Sequence, residues 1–146
     1  MTNLNSNRNM LNIEFSKKKT AITTIKNNEL KIIDVNNSIN LSHQYAAICR
    51  QYRVENKWIL MINPEEHSLG QLNQLSDINT SSVLKVHANK VNVVLQNIES
   101  ALRKGNCAAV VLCNPILSNK EIELLNKCTQ SSQTSCIVIR DHKQLH

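Results

Sequence analysis

The chain has 146 residues, a formal net charge of +6 and an aromatic content of only 3%, so its core must be aliphatic. This length suits a single domain that can bury a sizeable core. No apolar run reaches the roughly 20 residues that span a bilayer, and the basic amino-terminal region lacks the apolar stretch of a secretory signal. We therefore expect a cytoplasmic protein that does not bind a membrane.

The positive charge is concentrated near the amino terminus. Residues 1–31 carry six basic and two acidic side chains, whereas residues 32–146 carry eleven basic and nine acidic ones. Nucleic-acid binding usually needs a basic face on the folded domain, so it is not expected of this nearly neutral body. The composition predicts a disordered basic leader at 1–20, a single domain at 21–140 and a short tail at 141–146.

The cysteines predict neither disulfide bonds nor a zinc site. Their number is odd and no CxxC pair occurs. Most of them lie within apolar stretches, where cysteine behaves as a small hydrophobe, and no neighbour that would activate a thiol is evident. We interpret all five as core residues rather than catalytic thiols: Cys49, Cys107, Cys113, Cys128 and Cys136.

Two β-prone runs and a helix open the predicted domain. The runs Ala21–Ile25 and Leu30–Val35 can form a hairpin, because the asparagines between them tolerate a turn. A helix capped by Ser38 or Asn40 should follow. It is predicted by apolar residues at helical spacing: Leu41, Tyr45, Ile48 and Tyr52.

The middle of the chain predicts two strands with a short helix between them. The first, Trp58–Ile62, is apolar throughout and is followed by Asn63-Pro64, where proline ends the strand ladder. The second is Val83–His87. The helix between them is predicted by three leucines at helical spacing: Leu69, Leu72 and Leu75.

The most informative pattern is a helix that ends at a glycine and is followed by a buried strand. Apolar residues between Val91 and Leu102 fall on one helical face. Gly105 follows two basic residues, at a position where helices commonly end in the left-handed conformation. Every residue from Cys107 to Cys113 is apolar, which is typical of a central parallel strand buried on both faces.

The chain closes with one more helix and one more strand. Ser118 and Glu121 form a capping-box pattern before the helix, and Cys136–Arg140 is the last strand. This alternation predicts an α/β fold with a mostly parallel sheet and helices on both faces. In such sheets function gathers in loops at the carboxyl ends of strands, which here are Asn63–Ser68, Ala88–Lys90 and Asn114–Ser118.

The chain lacks the motifs of common nucleotide and catalytic sites. Its two glycines, Gly70 and Gly105, lie outside any glycine-rich loop after a strand, so no P-loop or dinucleotide site is expected. The histidines show no metal-ligand spacing. Glu65-Glu66-His67 follows a strand end, but no nucleophile stands beside it and a solvated loop is favoured. We predict a protein that is not an enzyme and binds no cofactor and no metal.

Four short blocks occur in a characteristic order along the chain: Lys57–Pro64, Lys85-Val86, Ala101–Asn106 and Ile137–Arg140. Together they resemble the family of the bacterial cell-division inhibitor SulA over about residues 22–140. The Ala-Leu-Arg-Lys-Gly-Asn block is the best discriminator. The resemblance implies a RecA-like three-layer sandwich without the nucleotide-binding loop, which agrees with the scarcity of glycine.

The resemblance also implies a function. Members of the family are made in the SOS response to DNA damage, and they bind the tubulin-like division GTPase FtsZ. A homodimer engages the polymerising face of FtsZ and blocks polymerisation by stoichiometric sequestration or capping of that face. This prevents septum formation without catalysis by the inhibitor. The family carries a C-terminal tail recognised by an ATP-dependent protease, and here only residues 141–146 follow the last strand.

The resemblance finally implies a set of partner-binding residues: Lys57, Trp58, Ile62, Leu72, Asn73 and Lys85. Lys57 stands where the family usually has arginine, which keeps the charge but loses a bidentate fork. A family tryptophan falls near Leu72 or Asn73, where this chain has none. Trp58 can equally be a packing residue, and the apolar strand around Ile62 favours a core position for it.

Two other classes of function stay open at this point. A RecA-like accessory factor in DNA repair or translesion synthesis would use the basic leader to contact DNA or a polymerase, and its DNA binding would be salt-sensitive. A small enzyme with an unrecognised site would show turnover. The nearly neutral body and the absence of catalytic motifs favour the division inhibitor.

Overall fold

A computed structural model describes residues 28–88 and 94–142. The strands in these ranges are β1 (Lys31–Val35), β2 (Trp58–Ile62), β3 (Val83–Val86), β4 (Cys107–Cys113) and β5 (Ser135–Asp141). The helices are α1 (Ser38–Gln51), α2 (Glu66–Gly70), α3 (Leu95–Lys104) and α4 (Asn119–Gln130). Between α2 and β3 the chain makes 3₁₀ turns at Gln71–Gln74 and Thr80–Ser82.

Several predicted features lie outside the described residues. They are the leader at 1–20, the β-prone run Ala21–Ile25 and residues 143–146 of the tail. The helix predicted from about Lys90 begins later, because Val94 is extended (φ −113°, ψ 165°) and precedes the first helical residue, Leu95. Within the described ranges, no helix is long and apolar enough to cross a membrane.

The described strands form one parallel sheet in the order β1-β5-β4-β2-β3. Parallel neighbours need crossover connections, because a tight hairpin joins only antiparallel strands. The helices supply those connections, and the predicted α/β fold with a mostly parallel sheet is confirmed. The run Leu30–Val35 contributes β1, whose described neighbour is β5.

Two aliphatic clusters lie on opposite faces of the sheet. One joins the sheet to α1 and to the segment after β2, with Tyr45 fully buried. The other joins the sheet to α3 and α4, with Leu125 fully buried. Helices therefore cover both faces, as the sequence predicts.

The central strand is β4, and all seven of its residues are buried. Ala109 and Val111 enter the cluster on the α1 side, whereas Val110 and Leu112 enter the cluster on the α3 and α4 side. A continuous apolar run in the sequence corresponds here to a strand with no solvent-facing side, and the prediction for Cys107–Cys113 is confirmed.

All five cysteines are buried and carry free thiols. Burial raises the pKa of the Cys136 thiol to about 12 and the pKa of Cys49 and of Cys113 to about 11. These groups stay protonated at neutral pH and are poor nucleophiles. Their interpretation as small core residues is confirmed.

The cap of α1 differs from the prediction. Asn37, in an extended conformation (φ −152°, ψ 167°), accepts a hydrogen bond from the Asn40 backbone N–H at 2.9 Å. Ser38 is already helical, and its carbonyl oxygen accepts a hydrogen bond from Ser42 Oγ at 3.2 Å. The prediction of Ser38 or Asn40 is wrong because several adjacent polar residues can all serve as caps.

The other helix boundaries follow the sequence more closely. Ser118 Oγ accepts a hydrogen bond from the Glu121 N–H at 3.2 Å, and Glu121 Oε1 accepts one from the Ser118 N–H at 2.9 Å, which confirms the capping box of α4. Gly105 ends α3 at φ 78°, the predicted left-handed position. The helix predicted around Leu72 divides into α2 and the 3₁₀ turn Gln71–Gln74.

The strand β2 ends in an asparagine–proline corner. Asn63 has a φ of 60° and precedes Pro64. Its N–H donates to the Val86 carbonyl at 2.7 Å, and its Oδ1 accepts from the Ala88 N–H at 2.7 Å. The asparagine side chain thus continues the ladder between β2 and β3 beyond the last strand residue.

The central strand β4 ends in a second asparagine–proline corner of the same kind. Asn114 has a φ of 49° and precedes Pro115. Its N–H donates to the Ile139 carbonyl at 2.8 Å, and its Oδ1 accepts from the Asp141 N–H at 2.7 Å. Asparagine suits both corners because it tolerates positive φ better than most residues and carries an acceptor of the right length.

The two glycines of the chain form a matched pair for testing helix termination. A Cβ added at Gly105 or at Gly70 meets nothing within 4 Å, but only Gly105 has a positive φ. We expect Gly105→Ala to lower the free energy of unfolding by about 1 kcal/mol. Gly70→Ala, at φ −62° and ψ −26°, should raise it by about 0.5–1 kcal/mol. Urea unfolding measures both, and equal effects would contradict the left-handed assignment.

The Asn114 corner predicts a graded series of stabilities. Asn114→Ala removes the acceptor for the Asp141 N–H and places a side chain without a compensating hydrogen bond at φ 49°. The free energy of unfolding should fall by about 2–3 kcal/mol. Asn114→Gly removes the hydrogen bond but relieves the backbone, so its loss should be about 1 kcal/mol smaller. If both variants unfold at the same urea midpoint as the wild type, the Asn114 corner does not stabilise the fold.

Candidate partner-binding surface

The six residues predicted to bind a partner divide into exposed and buried groups. Trp58 is 41% exposed, Lys57 is half-buried, and Asn73 and Lys85 are exposed. The remaining two, Ile62 and Leu72, are 8% and 1% exposed. The first four side chains can contact another protein as they stand, whereas the other two lie beneath the surface.

The buried pair packs into opposite faces of the sheet. Ile62 belongs to the cluster on the α3 and α4 side, and Leu72 belongs to the cluster on the α1 side. Their side chains therefore support the strand β2 and the 3₁₀ turn Gln71–Gln74, which present the exposed residues.

Lys57 and Trp58 line an open cleft of about 690 Å³ at the amino end of β2. We call it the Trp58 cleft. Its lining residues are Arg53, Val54, Glu55, Asn56, Lys57, Trp58, Asn79, Ser81 and Ser82. Trp58 opens β2 beside a bulge in β4, where Cys107 pairs with Trp58 and Ala109 pairs with the next residue, Ile59. Such bulges re-aim neighbouring side chains.

One wall of the Trp58 cleft is the turn between α1 and β2. Asn56 adopts a positive φ of 68° there, and the Lys57 N–H donates to the Val54 carbonyl at 3.2 Å. The Trp58 N–H then donates to the Asn106 carbonyl at 3.0 Å, which joins the turn to the residue before β4. This turn places the side chains of residues 53–57 at the edge of the cleft.

The opposite wall is the 3₁₀ turn Thr80–Ser82. Asn79 caps this turn, because its Oδ1 accepts hydrogen bonds from the Ser81 N–H at 3.0 Å and from Ser81 Oγ at 2.6 Å. Ser82 Oγ donates to the Asn79 carbonyl at 3.2 Å. The wall is held by its own hydrogen bonds before any partner arrives.

Arg50 and Asp77 form an ion pair in a neighbouring hollow that shares Arg53 and Asn79 with the cleft. Arg50 Nε lies 2.7 Å from Asp77 Oδ2. This hydrogen bond holds the pKa of the Asp77 carboxyl below its usual range, and Arg53 adds a smaller effect in the same direction. Asp77 is thus paired with Arg50 in an ion pair whose side chains are 58% and 49% exposed.

Asn73 and Lys85 line a second, smaller cavity of about 140 Å³ beside the edge strand β3. Thr80 Oγ1 donates to Asn73 Oδ1 at 3.2 Å. Lys85 Nζ lies 3.6 Å from Glu66 Oε1, and the other Glu66 oxygen lies 2.5 Å from His87 Nε2. Glu66 therefore sits between the two basic side chains on β3 and just after it.

The start of α2, which carries Glu66, is fixed by hydrogen bonds that are buried or partly buried. The hydroxyl of Tyr45 accepts from the Glu65 N–H at 3.0 Å and donates to Cys113 Sγ at 3.6 Å. Burial raises the pKa of Tyr45 above its usual range, so the hydroxyl stays protonated. Glu65 Oε1 caps the helix by accepting from the Ser68 N–H at 2.8 Å.

The two cavities adjoin, because the segment Asn79–Val83 contributes residues to both. Lys57 and Trp58 therefore lie at the amino end of β2, whereas Asn73 and Lys85 lie beside Glu66, which belongs to the carboxyl-end segment Asn63–Ser68. Sequence reasoning missed Arg53, Val54 and Glu66 as parts of this surface. Only Glu66 carried a signal, through its position after an apolar strand.

Across residues 28–88 and 94–142, no group of three or more His, Cys, Asp or Glu side chains is placed to hold a metal ion. The candidate surface instead combines an exposed indole, an exposed valine, several basic side chains and β3, which is an edge strand among the described strands. These groups suit contact with another macromolecule, since aromatic side chains and arginine are enriched at protein interfaces.

Comparison with known proteins gives one informative result. No protein-family model matches the chain, and no curated protein sequence matches it. Among solved structures, SulA from Pseudomonas aeruginosa superposes with a TM-score of 0.61 at 20% sequence identity. The match covers 76% of this chain and 96% of that protein. The chain therefore has the SulA fold, and the resemblance indicated by its sequence blocks is confirmed at the level of the fold.

Proposed function

We propose that this chain is a cell-division inhibitor that binds the tubulin-like GTPase FtsZ and blocks its polymerisation. The observation that carries this proposal is the superposition on nearly the whole of SulA. The four sequence blocks that resemble the same family also support it.

The proposal includes the finer features that the resemblance implies. The protein would be made in the SOS response and act in the cytoplasm as a homodimer that prevents septum formation. It would consist of one RecA-like domain at 21–140, between a basic leader at 1–20 and a tail at 141–146 open to an ATP-dependent protease. It would inhibit by covering the polymerising face of FtsZ rather than by catalysing a reaction.

The Trp58 cleft and the smaller cavity beside β3 carry side chains that can bind FtsZ. We propose Lys57, Trp58, Asn73 and Lys85 as the contacting side chains. Trp58 offers a large, rigid apolar area, and residues of this kind often dominate binding energy. The buried members of the predicted set, Ile62 and Leu72, would act by holding this surface in shape.

Lys85 is able to exchange its present partner for a carboxylate of another protein. Its ion pair with Glu66 is long at 3.6 Å, and the two side chains are 48% and 61% exposed. Ion pairs this exposed contribute roughly 0–1 kcal/mol. A partner that buries Lys85 against its own carboxylate would therefore meet little resistance from Glu66.

Sedimentation of FtsZ polymers in the presence of GTP tests the proposal. As the chain is titrated in, pelleted polymer should fall linearly and vanish near an equimolar ratio. Lys85→Ala should weaken inhibition about tenfold, which corresponds to a loss of about 1.4 kcal/mol of binding free energy. Lys127→Ala is the matched control, because Lys127 is an exposed lysine on α4, which packs on the other face of the sheet.

Two results would count against the proposal. Unchanged polymer at a clear molar excess of the chain would mean that the likeness to SulA extends to the fold alone. Loss of polymer at a small fraction of the FtsZ concentration, with FtsZ itself covalently changed, would indicate turnover and therefore an enzyme.

A further inference from the structure

We infer that the Trp58 cleft binds the partner through an acidic segment that carries a bulky apolar side chain. This inference rests on the proposed function and deepens it, because it assigns Arg53 and Val54 to the interface and states the chemistry of the partner. It is drawn from the shape, exposure and charge of the cleft.

The apolar part of the cleft comes from two exposed side chains on separate elements. Trp58 is 41% exposed at the start of β2, and Val54 is 49% exposed in the turn before it. Both line the same cleft, so the indole and the valine together form a site for one large apolar side chain. Aromatic and aliphatic side chains that fill such pockets commonly anchor interfaces.

The charged part of the cleft favours a negative partner. Arg53 and Lys57 line it with a single acidic residue, Glu55. Asp77, in the neighbouring hollow, is paired with Arg50. Within the described residues, no carboxylate lies within ion-pair distance of Arg53 or Lys57. The cleft therefore presents two cations to any segment that enters it, and a basic segment would be repelled.

The cleft is also held in place before binding. The Asn79 cap fixes the turn Thr80–Ser82 on one side, and the hydrogen bond from the Lys57 N–H to the Val54 carbonyl fixes the turn on the other. A preformed cleft loses less conformational entropy when it is filled, so more of the contact energy appears as affinity.

The balance of charges indicates a polypeptide rather than a nucleic acid. Nucleic acid is bound by a basic stripe that neutralises several phosphates, whereas this cleft combines two cations with one carboxylate. An acidic protein segment needs only one or two cations and an apolar contact, and both are present here.

The single tryptophan of the chain makes the cleft directly observable. Because Trp58 is the only tryptophan, the chain labelled with 5-fluorotryptophan gives one ¹⁹F resonance, which reports on the cleft alone. Adding FtsZ with GDP should shift or broaden this resonance. Raising NaCl from about 50 to about 300 mM should weaken the response, because screening reduces attraction between exposed charges.

Charge-reversal variants test the chemistry of the partner. Arg53→Glu should weaken both the ¹⁹F response and the inhibition of polymerisation by about tenfold or more. The new carboxylate would repel the acidic segment of the partner. Arg53→Lys keeps the charge and should retain most of both effects. Lys127→Glu is the matched control on α4 and should behave as the wild type. Far-UV circular dichroism of each variant checks that the fold is retained.

The outcomes separate this inference from the proposed function. If polymer falls on titration but the Trp58 resonance does not move, the partner binds elsewhere and the inference is wrong while the inhibitor proposal stands. If Arg53→Glu responds as the wild type does, the acidic chemistry is wrong. If the wild type neither inhibits polymerisation nor shifts the resonance, the proposed function fails and this inference fails with it.

Discussion

The complete burial of β4 is the constraint on which the rest of this fold depends. Val110 and Val111 are adjacent in the strand, point to opposite faces and are both fully buried. Each such side chain contributes about 1.5–3 kcal/mol only if it is covered, so helices must pack on both faces and strands on both edges of β4. The chain has few aromatic residues to fill space, and an aliphatic core of this kind needs close interdigitation. The parallel order with β4 in the centre satisfies all of these demands.

The position of the candidate surface follows from where the sheet stops. Among the described strands, β3 has a neighbour only on its β2 side, and its Leu84 is 41% exposed. Natural sheets protect such edges by keeping them short and by placing lysine on them. β3 has four residues and carries Lys85. The same side chain can thus discourage unwanted strand pairing and offer a charge to a chosen partner. Protection of the sheet edge and recognition of a partner therefore both favour a lysine at position 85.

Elements set by burial could be predicted from the sequence. The runs Trp58–Ile62 and Cys107–Cys113 are strands with the predicted bounds, because short apolar runs bounded by turn residues are typical of buried strands. Choices among similar polar residues could not be predicted. Asn37 rather than Ser38 caps α1, since neighbouring polar side chains have nearly equal capping strength. The positive φ of Asn63 and Asn114 and the hydrogen bonds of their side chains could not be predicted either, because a single asparagine with positive φ does not change the spacing of apolar residues in the sequence.

In the candidate surface, too, the buried residues and the exposed residues have different roles. The resemblance singled out six residues, but burial separates them into contacts and supports. Truncating Ile62 or Leu72 would leave a cavity and remove about 2–5 kcal/mol of stability, so binding would fall together with the folded fraction. Truncating Trp58 or reversing Arg53 changes an exposed side chain and leaves the core clusters intact. A loss of inhibition therefore identifies a contact only when stability is unchanged, and the exposed side chains of the Trp58 cleft meet that condition.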